Sequence, residues 1–248
     1  MGKAYTVLLL LRLCLIALVL SVPALARADG IAAPSTQQQV PQLDLVLDKL
    51  EVHAAQFEKM KRRASYTLSG KMERVDGSGN VAETKEMTVK VNGMAAEVVR
   101  YVEDGLDKTA DERAKRGGNG RMSTGRVSRM RLPFLATERP RYNFRVKEID
   151  AKYPWRLLVE FTPKNPAEDT ASGGAWVDAQ AGEVLTIRFS PTKKPRFVDD
   201  IDIAIVFDSK TSLGRAPSKV TFEASGGFLF IRKRYRGTAT ISNATIAP

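Results

Sequence analysis

Between Gln42 and Arg63 the apolar residues Leu43, Val46, Leu47, Leu50, Ala54 and Phe57 recur at three- and four-residue spacing, with Asp44, Asp48, Glu51, Glu58 and Lys61 between them. That stripe predicts one amphipathic helix ending near Arg63. Beyond it the period falls to two. Tyr66, Leu68 and Met72 alternate with Thr67, Ser69 and Lys71; after the turn Asp76-Gly77-Ser78-Gly79, Met87, Val89 and Val91 alternate with Thr88 and Lys90. These are two antiparallel strands. A third runs from Ala95 to Glu103 and closes at the turn pair Asp104–Gly105. Thr109 to Glu112 has capping-box spacing and opens a short helix, after which Gly117, Gly118, Gly120 and Gly125 break any regular pattern.

The C-terminal half reads as strand and turn. Tyr142, Phe144 and Val146 alternate with Asn143, Arg145 and Lys147, and Trp155, Leu157, Val159 and Phe161 follow the same rule. Further strands run at 173–177, 184–189, 201–207, 220–224 and 228–235, with short turns at Asp178–Gly182 and Ser225–Gly227 that make neighbours antiparallel. The domain therefore holds about eight to ten strands with one apolar and one polar face. A wide sheet of this kind must close on itself, stack on a second sheet or be covered by helices. One long helix and a loop leave part of a concave apolar face uncovered, which is the shape of a site for an apolar ligand.

The N-terminus changes the setting. Lys3 and Arg12 precede an apolar run from Leu13 to Leu20, then come Pro23 and the small-residue sites around Ala24, Ala26 and Ala28. This is the anatomy of a cleaved export signal over residues 1–28. Arg12 interrupts the run short of the roughly 18 residues that a spanning helix needs. Cys14 lies inside that run and is the single cysteine of the 248 residues, so the mature chain is expected to fold without disulfides, in a bacterial periplasm. Residues 29–41 are small, polar and proline-flanked and read as a flexible leader; 42–248 form one domain. Loss of the signal takes away Lys3, Arg12 and Arg27 and no acid, leaving +8 of the formal +11. Outside the cytoplasm such a basic surface meets anionic lipid head groups before nucleic acid. The stretch 113–131 is the most basic, and Arg121, Arg126, Arg129 and Arg131 are its candidate contacts for head groups or an acidic partner.

Residue types exclude much chemistry. With His53 as the one histidine and no mature thiol, cysteine nucleophiles and metal sites with two His or Cys ligands are ruled out, and no cofactor is expected. Asp199, Asp200 and Asp202 form the densest acidic cluster, but alternation sets Asp200 and Asp202 opposite Ile201 and Ile203, on a solvated face. No glycine-rich loop stands between a strand and a helix, so no nucleotide is implied. A lipid-inserted outer-membrane barrel would need strands of about ten residues each, and several of these are shorter. The chain is expected not to be an enzyme.

Several stretches carry a resemblance: Asp104-Gly105 followed by Thr109; Leu132-Pro133-Phe134-Leu135 leading to Tyr142; Gly174-Ala175-Trp176-Val177-Asp178 before Gly182 and Val184; and Pro217 opening the strand that ends in Phe222 and Glu223. Together with the leading helix they resemble the periplasmic outer-membrane lipoprotein-sorting proteins, the LolA-like superfamily, over residues 42–243. The resemblance implies a half-open antiparallel β-barrel covered by an N-terminal helix and a lid, sheltering lipid or lipoprotein acyl chains. An inner-membrane transporter and an outer-membrane acceptor follow as implied partners, for a monomeric carrier. The alternative within the same fold is a sensor or adaptor that grips a protein segment. Exposing a sixteen-carbon chain to water costs on the order of 12 kcal/mol, which a cavity must offset. The candidate lining residues are Tyr66, Leu68, Met72, Met87, Val89, Phe144, Phe161, Trp176, Leu185 and Ile187.

Overall fold

A computed structural model of the chain describes residues 42–93, 95–109, 131–194, 197–228 and 231–246. The expected export signal over 1–28, the expected leader 29–41, the short helix expected from Thr109 and most of the basic stretch 113–131, including Arg121, Arg126 and Arg129, lie outside the described residues.

The amphipathic stripe forms helix α1, Leu43–Arg63, with Asp44 in its first turn and Lys61, Arg62 and Arg63 in its last, each charge favourably placed on the helix dipole. Ala64 turns extended and starts β1 (Ala64–Val75) directly. There follow β2 (Val81–Asn92), β3 (Ala95–Glu103), β4 (Leu106–Asp107), β5 (Tyr142–Ile149), β6 (Arg156–Pro163), β7 (Ala171–Asp178), β8 (Glu183–Pro191), β9 (Val198–Val206), β10 (Ser209–Thr211), β11 (Gly214–Ala216), β12 (Lys219–Phe228) and β13 (Ile231–Ile246). All ten strands expected from alternation are present. The additional three, β4, β10 and β11, are two or three residues long, too short to show a period.

Two runs of hydrogen-bonded strands, β5-β6-β7-β8-β9 and β12-β13-β1-β2-β3-β4, lie side by side. Ser218 N–H donates to Val206 O (2.8 Å) and Gly227 N–H to Phe197 O (2.9 Å), so β9 and β12 run antiparallel in contact. The result is one antiparallel sheet of eleven strands that does not close into a barrel. The expectation of an incomplete antiparallel barrel of eight to ten strands covered by a helix is met in its coarse form, an unclosed antiparallel sheet with one helix; the sheet has one strand more, the two-residue β4. The turn expected at Ser225–Gly227 is corrected, because β12 runs straight through it to Phe228. Glycine is needed there for a different reason. A Cβ on Gly226 would lie 2.2 Å from Phe197 O, so only a bare backbone lets β9 approach.

Antiparallel order sorts the connections into two ends of the sheet. At one end lie the β2–β3 and β7–β8 turns and the β10–β11 hairpin, and α1 packs there. Lys49 Nζ donates to Ala179 O (3.3 Å) and Gln180 O (3.2 Å), and Gly182, at φ +70°, leaves room for Lys49. The opposite end carries the β1–β2 and β3–β4 turns, the β8–β9 connection and the tip of β12–β13. The apolar side of α1 buries Val46, Leu47, Leu50, Ala54, Phe57 and Met60 against inward residues of β6 to β9, among them Leu157, Val159, Ala175, Val177, Val184 and Ile203.

Candidate functional site

The inner face, on the α1 side, divides into two wings of different character. Under the helix, on β5 to β9, it is solid core. The segment 132–135 folds over the β5 edge and inserts Phe134, whose ring stacks on Phe144 (5.7 Å) and meets Phe161 edge-on (6.2 Å). Phe134, Phe161 and Ile187 are buried. On the helix, His53 is buried against Phe207, with Val184 N–H donating to its Nδ1 (3.3 Å) and Arg215 O lying 3.1 Å from its Nε2. Since Nδ1 accepts, Nε2 carries the proton and donates to Arg215 O. Burial lowers the His53 pKa, against opposing effects of the Arg215 hydrogen bond and Glu183. Its work is to tie α1 to β8 and β11.

The second wing spans β12, β13, β1, β2 and β3. Register places Tyr66 beside Val91, Leu68 beside Val89 and Met72 beside Lys85, and on the next strand sets Met87 against Tyr101 and Val91 against Ala96. Across β13 the same face continues through Ile241, Ala239 and Tyr235 to Val220, Phe222 and Ala224 of β12. Val89, Val91, Ala96, Phe222 and Ala239 form its buried floor, whereas Tyr66, Leu68, Met72, Met87, Val98 and Tyr235 are half-buried. The opposite face of these strands is Thr67, Ser69, Lys71 and Glu73, then Thr84, Glu86, Thr88 and Lys90. One side is thus apolar and the other polar, as alternation predicts.

The apolar face ends in charge at the end away from α1. Lys85 sits in phase with Met87, Val89 and Val91, and its side chain is only 8% exposed. Its Nζ lies 2.5 Å from Glu83 and 3.4 Å from Glu103, and Glu83 also accepts from Arg74 Nε (3.0 Å). Burial alone would lower the Lys85 pKa and raise that of Glu83. The mutual ion pairs outweigh it in both, so Lys85 is raised and Glu83 lowered. Both stay charged, and the apolar floor acquires an ionic rim.

The ten lining residues expected from sequence separate accordingly. Tyr66, Leu68, Met72, Met87 and Val89 come together on β1 and β2. Phe144, Phe161 and Ile187 belong to the packed wing, Phe144 alone of these being half-buried. Trp176 lies on the outer face, beside Leu158 and Thr186, between Ala175 and Val177, which point into the core. Leu185 falls at the bulge that pairs Trp176 with Thr186 and Val177 with Val184, and among the described residues it packs on neither core cluster. Arg131 is exposed, with Nη1 3.4 Å from Glu138 Oε1, and the residue after Glu138, Arg139, pairs with Asp48 of α1. Asp200 pairs with Lys194 (3.0 Å) and Asp202 with Arg188 (2.5 Å), on the face opposite Ile201 and Ile203. Among the described residues no group of three or more His, Cys, Asp or Glu is arranged to hold a metal, and no helix is long and apolar enough to cross a membrane. Sequence reasoning passed over Val98, Tyr101, Tyr235 and the Lys85 rim, although the phase of Lys85 within β2 was a visible signal.

No family model matches the sequence, and no curated protein matches it. Among solved structures the chain is similar to a DUF1329 family protein from Desulfovibrio piger, at 14% identity over 81% of this chain and 92% of that one, with a TM-score of 0.40. It is similar to a putative outer membrane lipoprotein-sorting protein domain from Vibrio parahaemolyticus, at 12% identity over 81% and 91%, TM-score 0.38. It is also similar to a LolA superfamily protein from Nitrosomonas europaea, at 8% identity over 78% and 93%, TM-score 0.32. The superfamily that the sequence motifs resemble therefore recurs among the structural neighbours. At TM-scores below 0.5 these likenesses assign no activity to the chain.

Proposed function

We propose that the mature protein is a periplasmic carrier that holds lipid or lipoprotein acyl chains against the inner face of β12, β13, β1, β2 and β3 and passes them towards the outer membrane. The observation that carries this reading is the half-buried apolar set Tyr66, Leu68, Met72, Met87, Val98 and Tyr235 above a buried floor, on a sheet that does not close. Methionine and aromatic side chains adapt to a flexible chain without a fixed fit. At about 0.8 kcal/mol per methylene, a face that shelters ten methylenes returns about 8 kcal/mol, enough to hold a single chain in water. The ionic rim then meets the polar part of the cargo, and Arg121, Arg126, Arg129 and Arg131 add head-group contacts. No catalytic step is involved.

The test is native mass spectrometry of the mature protein purified from the compartment to which it is exported, followed by organic extraction. A stoichiometric acylated species supports the carrier and identifies its cargo class. An empty protein that also fails to take lipid from vesicles, yet holds a periplasmic protein segment, replaces the carrier with an adaptor.

A further inference from the structure

Beyond the inner face, the end of the sheet away from α1 carries a second feature. β13 pairs with β1 only as far as Val75 and Arg234, so β12 and β13 project past β1 as a two-stranded finger in which Ser225, Gly226 and Gly227 face Arg234, Lys233 and Arg232. Phe197 lies against the finger's other side, its carbonyl accepting Gly227 N–H at 2.9 Å. Strand order at this tip is therefore Phe197, Gly227, Arg232, with about 4.8 Å between neighbours.

Phe197 is unusual in two independent ways. Its φ is +70°, and the other non-glycine residues with positive φ among the described residues, Asp104 and Asn243, are of types that tolerate it. Its side chain is nevertheless 49% exposed, so the strained backbone does not serve to bury the ring. Strain retained at an exposed aromatic is the mark of a residue held outward for contact. Around it Lys193, Lys194, Arg232, Lys233 and Arg234 are all exposed, against Asp199 and Asp200. Lys194 pairs with the Asp200 carboxylate (3.0 Å) and donates to the backbone carbonyl of Asp199 (2.6 Å); with five cations against two acids the exposed cluster keeps an excess of three positive charges.

We infer that this tip docks on a bilayer containing anionic phospholipid, with the Phe197 ring at the acyl boundary and Arg232, Lys233 and Arg234 among the head groups. An aromatic ring suits the membrane interface, and cations close to an anionic leaflet each gain attraction that salt weakens. The surface is separate from the apolar inner face and does not depend on whether that face carries lipid.

The experiment is flotation of the mature protein with vesicles of phosphatidylcholine, with and without one-third phosphatidylglycerol, at low and at high salt. Wild type is expected to bind the anionic vesicles at least tenfold better than the neutral ones and to lose most of that binding in high salt. Phe197→Asn relieves the positive φ while removing the ring, so it should stay folded by circular dichroism and bind at least fivefold more weakly. The triple variant R232Q/K233Q/R234Q should lower binding by about a hundredfold, on the order of fivefold per charge. Equal binding to neutral and anionic vesicles, no binding by wild type, or undiminished binding by folded Phe197→Asn overturns the inference. So does a wild type that ignores vesicles but captures an acidic peptide.

Discussion

His53 permits a prediction free of competing groups, because it is the only histidine in the chain. Replacing it with leucine keeps an apolar side chain of related size beside Phe207 but removes both ring nitrogens. Val184 N–H, on a fully buried residue, then has no acceptor, and Arg215 O loses its donor. An unsatisfied buried group costs about 1–3 kcal/mol, so His53→Leu should destabilise the protein by about 3 kcal/mol at neutral pH. The same geometry sets a pH dependence. Burial holds the folded-state pKa below 6.5, so below that value the unfolded chain binds more protons than the folded one. The stability from neutral His53 is fully present above the unfolded pKa and is lost as pH falls through the window beneath 6.5, with a slope of at most about 1.4 kcal/mol per pH unit. Urea unfolding at several pH values between about 5 and 8 reads this directly. Wild type should weaken towards the acid side of that range, and His53→Leu should be less stable but flatter. A flat wild type, or an unchanged slope in the variant, would refute the neutral clamp.

Four further outcomes follow from particular contacts. Phe134→Ala empties a fully buried ring site between Phe144 and Phe161 and should cost about 3–5 kcal/mol by urea unfolding. Lys85→Met leaves the Glu83 and Glu103 carboxylates without their shared ammonium and should cost about 2 kcal/mol at neutral pH. Because Glu83 is held below its ordinary pKa in the wild type, that deficit should narrow as acid protonates the carboxyl, which a pH series of melts would reveal. Gly226→Ala should cost about 1–3 kcal/mol, since its Cβ would strike backbone at Phe197 and Val198; a neutral result would return 225–227 to a turn. On the inner face, Met87→Asp should abolish acyl-chain uptake in a folded protein, whereas Trp176→Glu should not.

Alternation made the helix and all ten longer strands legible, because burial on one face forces the period that a sequence displays. What it could not convey were local departures from that period. The bulge between Trp176 and Val177 breaks the phase of β7 and β8, which is why Leu185 and Ile187, two apart in sequence, do not share a packing environment. Trp176 drew attention by its size, but Ala175 and Val177 on either side were the residues in phase with the core. Gly226 and Gly227 resembled a turn because glycine is common in turns; here both lie within β12, and Gly226 admits a neighbouring backbone, a demand visible only in three dimensions. The opposite lesson comes from Lys85. A lysine in register with Met87, Val89 and Val91 breaks the apolar pattern in plain view, yet its meaning depends on Glu83, Arg74 and Glu103 arriving from the same face of three strands.

The carrier reading stands on the inner face of the β12-to-β3 wing, and delipidated protein titrated with a fluorescent long-chain acyl probe tests it most directly. Wild type and Trp176→Glu should bind one probe with similar affinity, and Met87→Asp, folded by circular dichroism, should bind at least a hundredfold more weakly. Uptake that survives Met87→Asp undiminished, or a wild type that binds no probe at all, would contradict the account.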